Sequence, residues 1–178
     1  AIKRIVKKLD PREYEIHSIA APERYELRRP YLWRFWNKLN DGGKITIFDR
    51  TWYGRVLVER IEGFASVVEW QRAYHEINRF EENLVDSQTV IVKIWLAISK
   101  DEQEIRFKDR EQTPHKRFKI TEEDWRNRDK WDDYLNAAAD MFERTHTGYA
   151  PWYVISTDDR NTARIEVLIA IFKQLKAG

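Results

Sequence analysis

The sequence predicts an α/β fold with a mostly parallel sheet. Short β-branched runs alternate with helical patterns, as in "KITIFD" and "TVIVKIWLAIS", which is the signature of βαβ units. Polar or charged residues stand at the ends of most of these runs, where such sheets place their ligands. The chain has 178 residues, enough for one domain with a real core.

In chain order, "AIKRIVKK" puts Ile2, Ile5 and Val6 on one helical face. Pro11 ends that helix by disfavouring helical backbone at Asp10. "YEIHSIAAP" reads as a strand stopped at Pro22, and "YLWRFWNKLND" as a helix ended by Gly42–Gly43. "KITIFD" is a short apolar run expected to be a strand buried on both faces. Residues 54–63 and 67–85 read as helices, and "TVIVKIWLAIS" as a central strand. Ser99 and Glu102 form the S-x-x-E pattern that opens a helix, and Thr121 with Asp124 prepares another over 122–144. "APWYVIS" is the last strand and 161–176 the last helix. The predicted carboxyl ends of the strands are Ala20–Pro22, Asp49–Arg50, Ser99–Lys100 and Thr157–Asp159.

Composition narrows the chemistry. With 32 basic and 30 acidic residues the net charge is +2, so local clustering must carry any argument about partners. The absence of cysteine excludes disulfides and thiolate metal sites. No apolar run approaches the ~20 residues of a membrane span. With no signal peptide in view, a cytoplasmic location is the default expectation. The four histidines are scattered without metal-ligand spacing.

Asp49 ends an apolar strand, the placement of an acid that holds Mg²⁺ beside a phosphate. It equally suits a helix cap or a partner of Arg50. Arg50, Arg55 and Arg60 do not form one helical stripe, but converge if Arg50 lies in the loop. Guanidiniums bind phosphate through a bidentate fork, whereas Arg60 could also pair with Glu59 or Glu62 at the surface. Trp52 and Tyr53 either wall the site or pack the core. The segment "RFKDREQTPHKRFK" is dense in Lys and Arg and is broken by Pro114. Two basic pieces joined by a turn suit a lid over an anion, a solvated helix, or a nucleic-acid patch with Phe107 and Phe118.

Taken together, "FDRTWYGRVLVERIEGF" (48–64), "KIWLAISKDEQEIRF" (93–107), "HKRFKIT" (115–121), "DKWDDYLNAAADMFERT" (129–145) and "APWYVISTDD" (150–159) resemble the family-2 polyphosphate kinases over essentially the whole chain. Gly54, where many relatives have Asn, is similar to the branch that phosphorylates AMP to ADP, often with two such domains fused. The resemblance implies a P-loop kinase-like three-layer α/β/α sandwich with a helical lid at about 100–130. It implies Mg²⁺ at Asp49 and phosphate contacts from Arg50 and Arg55. It places Glu59 at the nucleotide and Arg106, Arg110, Lys116 and Arg117 along the polyphosphate, with Arg60 expected as a further substrate-binding residue. Inorganic polyphosphate and a nucleoside mono- or diphosphate are the implied partners, with a second copy or a fused second domain. Neither membrane nor nucleic acid is expected. The family's Gly-rich loop with its lysine and its first strand precede the helix at which this sequence starts, so 1–178 is expected to be one N-terminally incomplete domain, inactive in isolation. Two alternatives remain open at this point: a non-catalytic polyphosphate- or nucleotide-binding half of a fused enzyme, and a nucleic-acid-binding domain.

Overall fold

The computed structural model describes residues 1–40, 42–113 and 122–177. It divides into two compact units, Ala1–Ile77 and the residues from Asn78 onward. In the first unit α1 (Ile2–Ile5) runs into a 3₁₀ turn, followed by β1 (Tyr14–Ser18), α2 (Trp33–Trp36) and β2 (Ile45–Asp49). A 3₁₀ turn at Trp52–Val56 leads to α3 (Val58–Ile61) and then α4 (Val67–Asp86), whose residues from Asn78 onward belong to the second unit. The second unit holds β3 (Lys93–Ala97), α5 (Lys100–Gln112), α6 (Glu122–Asp129), α7 (Trp131–Thr145), β4 (Trp152–Ser156) and α8 (Arg160–Ala177).

The parallel arrangement is as expected, but the described strands form two pairs instead of one sheet. β1 pairs with β2, Ser18 opposite Asp49, and β3 pairs with β4, Ala97 opposite Ser156. This corrects two expectations. β2 is not buried on both faces, because Ile45 and Asp49 at its ends are exposed and the three residues between them are only partly buried. β3 is likewise not central among the described residues, since β4 alone pairs with it.

Three helices are shorter than their patterns. The helix expected over 31–41 is α-helical only at Trp33–Trp36 and continues as i→i+3 turns to Leu39. The 54–63 segment splits at Leu57, whose φ of −113° and ψ of −99° separate the 3₁₀ turn from α3. Gly54 and the β-branched Val56 and Val58 all disfavour continuous helix there. α3 then ends on Gly63 at φ 72°, with the Phe64 amide donating to the Glu59 carbonyl at 2.8 Å. Only glycine adopts that left-handed cap without cost. The helix expected over 122–144 breaks at Lys130 into α6 and α7. The Thr121–Asp124 cap lies outside the described residues.

Each unit has its own core. In the first, Phe35, Phe48 and Trp52 meet edge-on with centroids 5.5–5.9 Å apart. Buried Glu26 faces Arg34 at 3.5 Å and Lys38 at 3.4 Å and accepts from the Glu23 amide at 2.8 Å. Burial works to raise the Glu26 carboxyl, but the Glu23 amide, Arg34 and Lys38 outweigh it and hold it below the usual range. In the second unit Phe142 lies edge-on between Trp95 and Trp152. Buried Lys93 bridges Glu81 at 2.8 Å and the Thr145 carbonyl at 2.6 Å, so one ammonium ties β3 to α4 and α7.

Candidate phosphate-binding site

The parallel register of β1 and β2 brings Asp49 to the carboxyl end of its strand, where its carbonyl accepts from the Ile19 amide at 3.0 Å. The chain then turns sharply. Arg50 has φ 67°, a left-handed backbone that costs a non-glycine residue about 1–2 kcal/mol. Strain of this kind collects where a chain must aim a side chain. Thr51 caps the following 3₁₀ turn by accepting from the Tyr53 amide at 3.3 Å. The side chains of Asp49 and Arg50 are exposed and make no hydrogen bond or ion pair with the described residues. The cap reading and the Asp49–Arg50 pair are therefore both absent from this geometry.

Arg55 extends from the 3₁₀ turn and its Nε lies 2.9 Å from Glu59 Oε2, with Glu69 at 3.8 Å. Its guanidinium stacks 4.5 Å above the Tyr31 ring. Burial raises the Glu59 carboxyl above the usual range, against the pull of Arg55 and Arg34. Burial also pushes the Tyr31 phenol strongly upward. Tyr31 Oη and Arg34 Nε are buried without a hydrogen-bond partner among the described residues. Donors left unmatched in a charged cluster fit an anionic or hydroxyl-bearing ligand.

Arg60 is turned onto α4, its guanidinium 4.2 Å over the Trp70 ring and donating to Tyr74 Oη at 3.2 Å. Trp52 and Tyr53 are core residues, 7% and 4% exposed, which decides between packing and walling the site. Tyr31, Arg34 and Glu69 join the cluster without any sequence signal beyond an aromatic-rich stretch before Gly42–Gly43 and an acid near the start of α4.

In the second unit, Ser99 caps α5, its Oγ accepting from the Glu102 amide at 3.2 Å. The reciprocal half of the capping box is replaced: the Ser99 amide donates to Asp158 Oδ1 at 2.9 Å, and Glu102 pairs with Arg106. Two expected strand ends, Ser99 and Thr157–Asp158, are thus joined. Arg106, expected on the polyphosphate, is engaged by protein groups. The guanidinium of Arg110 makes no hydrogen bond or ion pair among the described residues and lies 6.0 Å from the Phe107 ring centroid. Lys116 and Arg117 lie outside the described residues.

Among the described residues no group of three or more His, Asp or Glu is arranged to hold a metal ion. Asp49 offers one exposed carboxylate. That fits Mg²⁺, which takes one or two carboxylates and completes its shell with water and phosphate oxygens. No helix among the described residues is long and apolar enough to cross a membrane.

Comparison with known proteins agrees over the whole chain. The family profile for polyphosphate kinase 2 (PPK2) matches residues 1–178. A polyphosphate:AMP phosphotransferase of Acinetobacter johnsonii is 80% identical over 99% of this chain, which covers 37% of that protein. Its counterpart in Pseudomonas aeruginosa is 55% identical over 100% of this chain, 36% of its own length. The chain therefore spans little more than a third of these relatives. The crystal structure of a polyphosphate kinase 2 from Arthrobacter aurescens TC1 superposes with a TM-score of 0.95 at 36% identity, covering 99% of this chain and 62% of that one.

Proposed function

The chain belongs to the polyphosphate kinase 2 family, and from that premise we propose that it is a phosphotransferase domain working between inorganic polyphosphate and a nucleotide, with AMP to ADP the favoured direction. The reading takes residues 1–178 as a domain of this type with a lid module near 100–130. An oxygen of the AMP phosphate attacks the terminal phosphorus of polyphosphate. A new P–O bond forms, the bond to the bridging oxygen breaks, and polyphosphate leaves one phosphate shorter. Such transfer asks the protein mainly to position groups and stabilise charge.

In this reading the exposed Asp49 carboxylate holds Mg²⁺. When bound, the ion neutralises charge on the phosphate oxygens. Arg50, aimed by its left-handed backbone, and Arg55, held over Tyr31, bind phosphates. Glu59, whose carboxyl is raised by burial, faces the nucleotide. Arg110, Lys116 and Arg117 serve the polyphosphate chain. Arg60 is withdrawn from the substrate set, because Trp70 and Tyr74 hold it.

The observation that carries the proposal is the turn at 49–51, which ends a parallel strand in an acid followed by a strained arginine, neither side chain paired among the described residues. The test is ADP formation from AMP and polyphosphate by the full-length protein that carries these residues, with and without Mg²⁺, for wild type and Asp49→Asn. We expect metal-dependent turnover that falls at least a hundredfold in the variant with the fold unchanged by circular dichroism. Undiminished turnover in Asp49→Asn overturns the assignment of Asp49. Polyphosphate binding without turnover in the wild type assigns the non-catalytic alternative instead.

A further inference from the structure

Two arginines at the root of the lid are occupied by groups of the protein itself. Arg106 leaves 12% of its side chain exposed. It donates to Glu102 Oε1 at 2.7 Å, to the Thr157 carbonyl, and to the Asp158 carbonyl at 3.2 Å. One guanidinium thus fastens the first turn of α5 to the loop after β4. Arg128, on α6, is 13% exposed and grips the same turn from the neighbouring helix. It donates to the Lys100 carbonyl at 2.5 Å, Gln103 Oε1 at 3.3 Å and Glu104 Oε2 at 2.6 Å. Further along α5, Trp125 of α6 packs edge-on against Phe107 at 5.1 Å and donates to Glu111 at 3.0 Å.

The acceptors matter. Arg55 is paired with carboxylates, anions that a phosphate can replace, whereas a backbone carbonyl has no such substitute. Arg106 and Arg128 spend their donors on backbone carbonyls as well as carboxylates, in surroundings that exclude most water. Displacing them would leave those carbonyls unsatisfied. Arg110, one turn beyond Arg106 on α5, has no such partners among the described residues.

We propose that Arg106 and Arg128 are positioning residues that clamp the first turn of α5 and set the pose of the α5–α6 helix pair, and that neither contacts polyphosphate. This rests on the phosphotransferase reading for its kinetic consequence, while the clamp itself is a property of the fold.

The experiment uses the full-length protein that carries these residues, with Arg106→Gln and Arg128→Gln. Three quantities are read: the slope of log polyphosphate affinity against log salt, the split between kcat and KM, and amide hydrogen exchange. We expect kcat to fall about tenfold or more, the salt slope to keep its wild-type value, and peptides covering 99–107 to exchange faster while those covering 67–77 do not change. A slope reduced by about one, the sign of a lost phosphate contact, overturns the proposal. So does unchanged kcat with unchanged exchange. If Arg106→Gln fails to fold, Glu102→Gln removes one acceptor of that arginine, and if Arg128→Gln fails, Glu104→Gln does the same for its partner; each must show the same three results. A wild-type chain without polyphosphate turnover refutes the functional reading alone, since exchange and binding slopes still judge the clamp.

Discussion

Glu59 is the residue whose environment most directly links stability to the site. It is partly buried beside Arg55, yet burial wins and its carboxyl is raised. A carboxyl raised by folding contributes stability that is fully present below its ordinary pKa and is lost as pH rises through the folded value. Gln mimics the protonated form. Glu59→Gln should therefore match wild type in melting temperature near pH 4 and gain on it as pH rises to 7, while nucleotide affinity falls. Parallel thermal melts across that range check the sign, and a gap that shrinks toward pH 7 refutes the account. Gly54, one turn earlier, makes a second residue-scale case. A Cβ there would meet nothing closer than Val58 Cγ1 at 3.8 Å and Glu59 Oε1 at 3.9 Å. Gly54→Ala should thus stabilise by about 0.4–1 kcal/mol through the unfolded chain, measurable by urea titration.

At the scale of elements, Lys93 shows what a strand can hide. It interrupts an apolar run, but folding closes it against Glu81 on α4 and the end of α7, with the two side chains 4% and 0% exposed. Burial lowers the lysine while Glu81 pulls it back up. Removing one partner leaves a buried charge uncompensated, at a cost of about 3–5 kcal/mol. Lys93→Met should cost that much in denaturant titrations, and Lys93→Met with Glu81→Gln should recover most of it. Equal losses in single and double variants would show that Glu81 is not the reason. The strand itself was legible from its β-branched pattern, as were the parallel pairing and the Ser99 cap. The pair was not, because Glu81 and Glu26 find their cations only through tertiary packing and no local spacing announces it. Helix lengths failed for a related reason. Periodicity registers a buried face but not the backbone change at Leu57 or Lys130 that divides it.

On the scale of the molecule, charge is the quantity that matters, and its total is uninformative. A net +2 on 178 residues gives little long-range pull on a polyanion. At physiological salt, exposed charges more than about 8 Å apart hardly act together. In the proposed function, polyphosphate affinity would come from contacts at a few cations, each releasing counterions much as on a nucleic-acid backbone. The sequence carried half of this pattern: the acid and arginines of 49–55 and the basic stretch after Ser99 were visible, whereas the engagement of Arg60 and Arg106 by aromatic rings and carbonyls was not. Two substitutions of equal charge therefore have unequal effects. Arg110→Gln should reduce the slope of log affinity against log salt by about 0.7–0.9, because its guanidinium makes no hydrogen bond or ion pair among the described residues. Lys173→Gln, an exposed position on α8, removes the same unit of charge and should leave the slope unchanged. Titrations of both variants with polyphosphate from about 50 to 200 mM salt separate the two cases. Equal reductions would mean that overall charge draws the polymer in, and that the α5 arginine has no special place in the site.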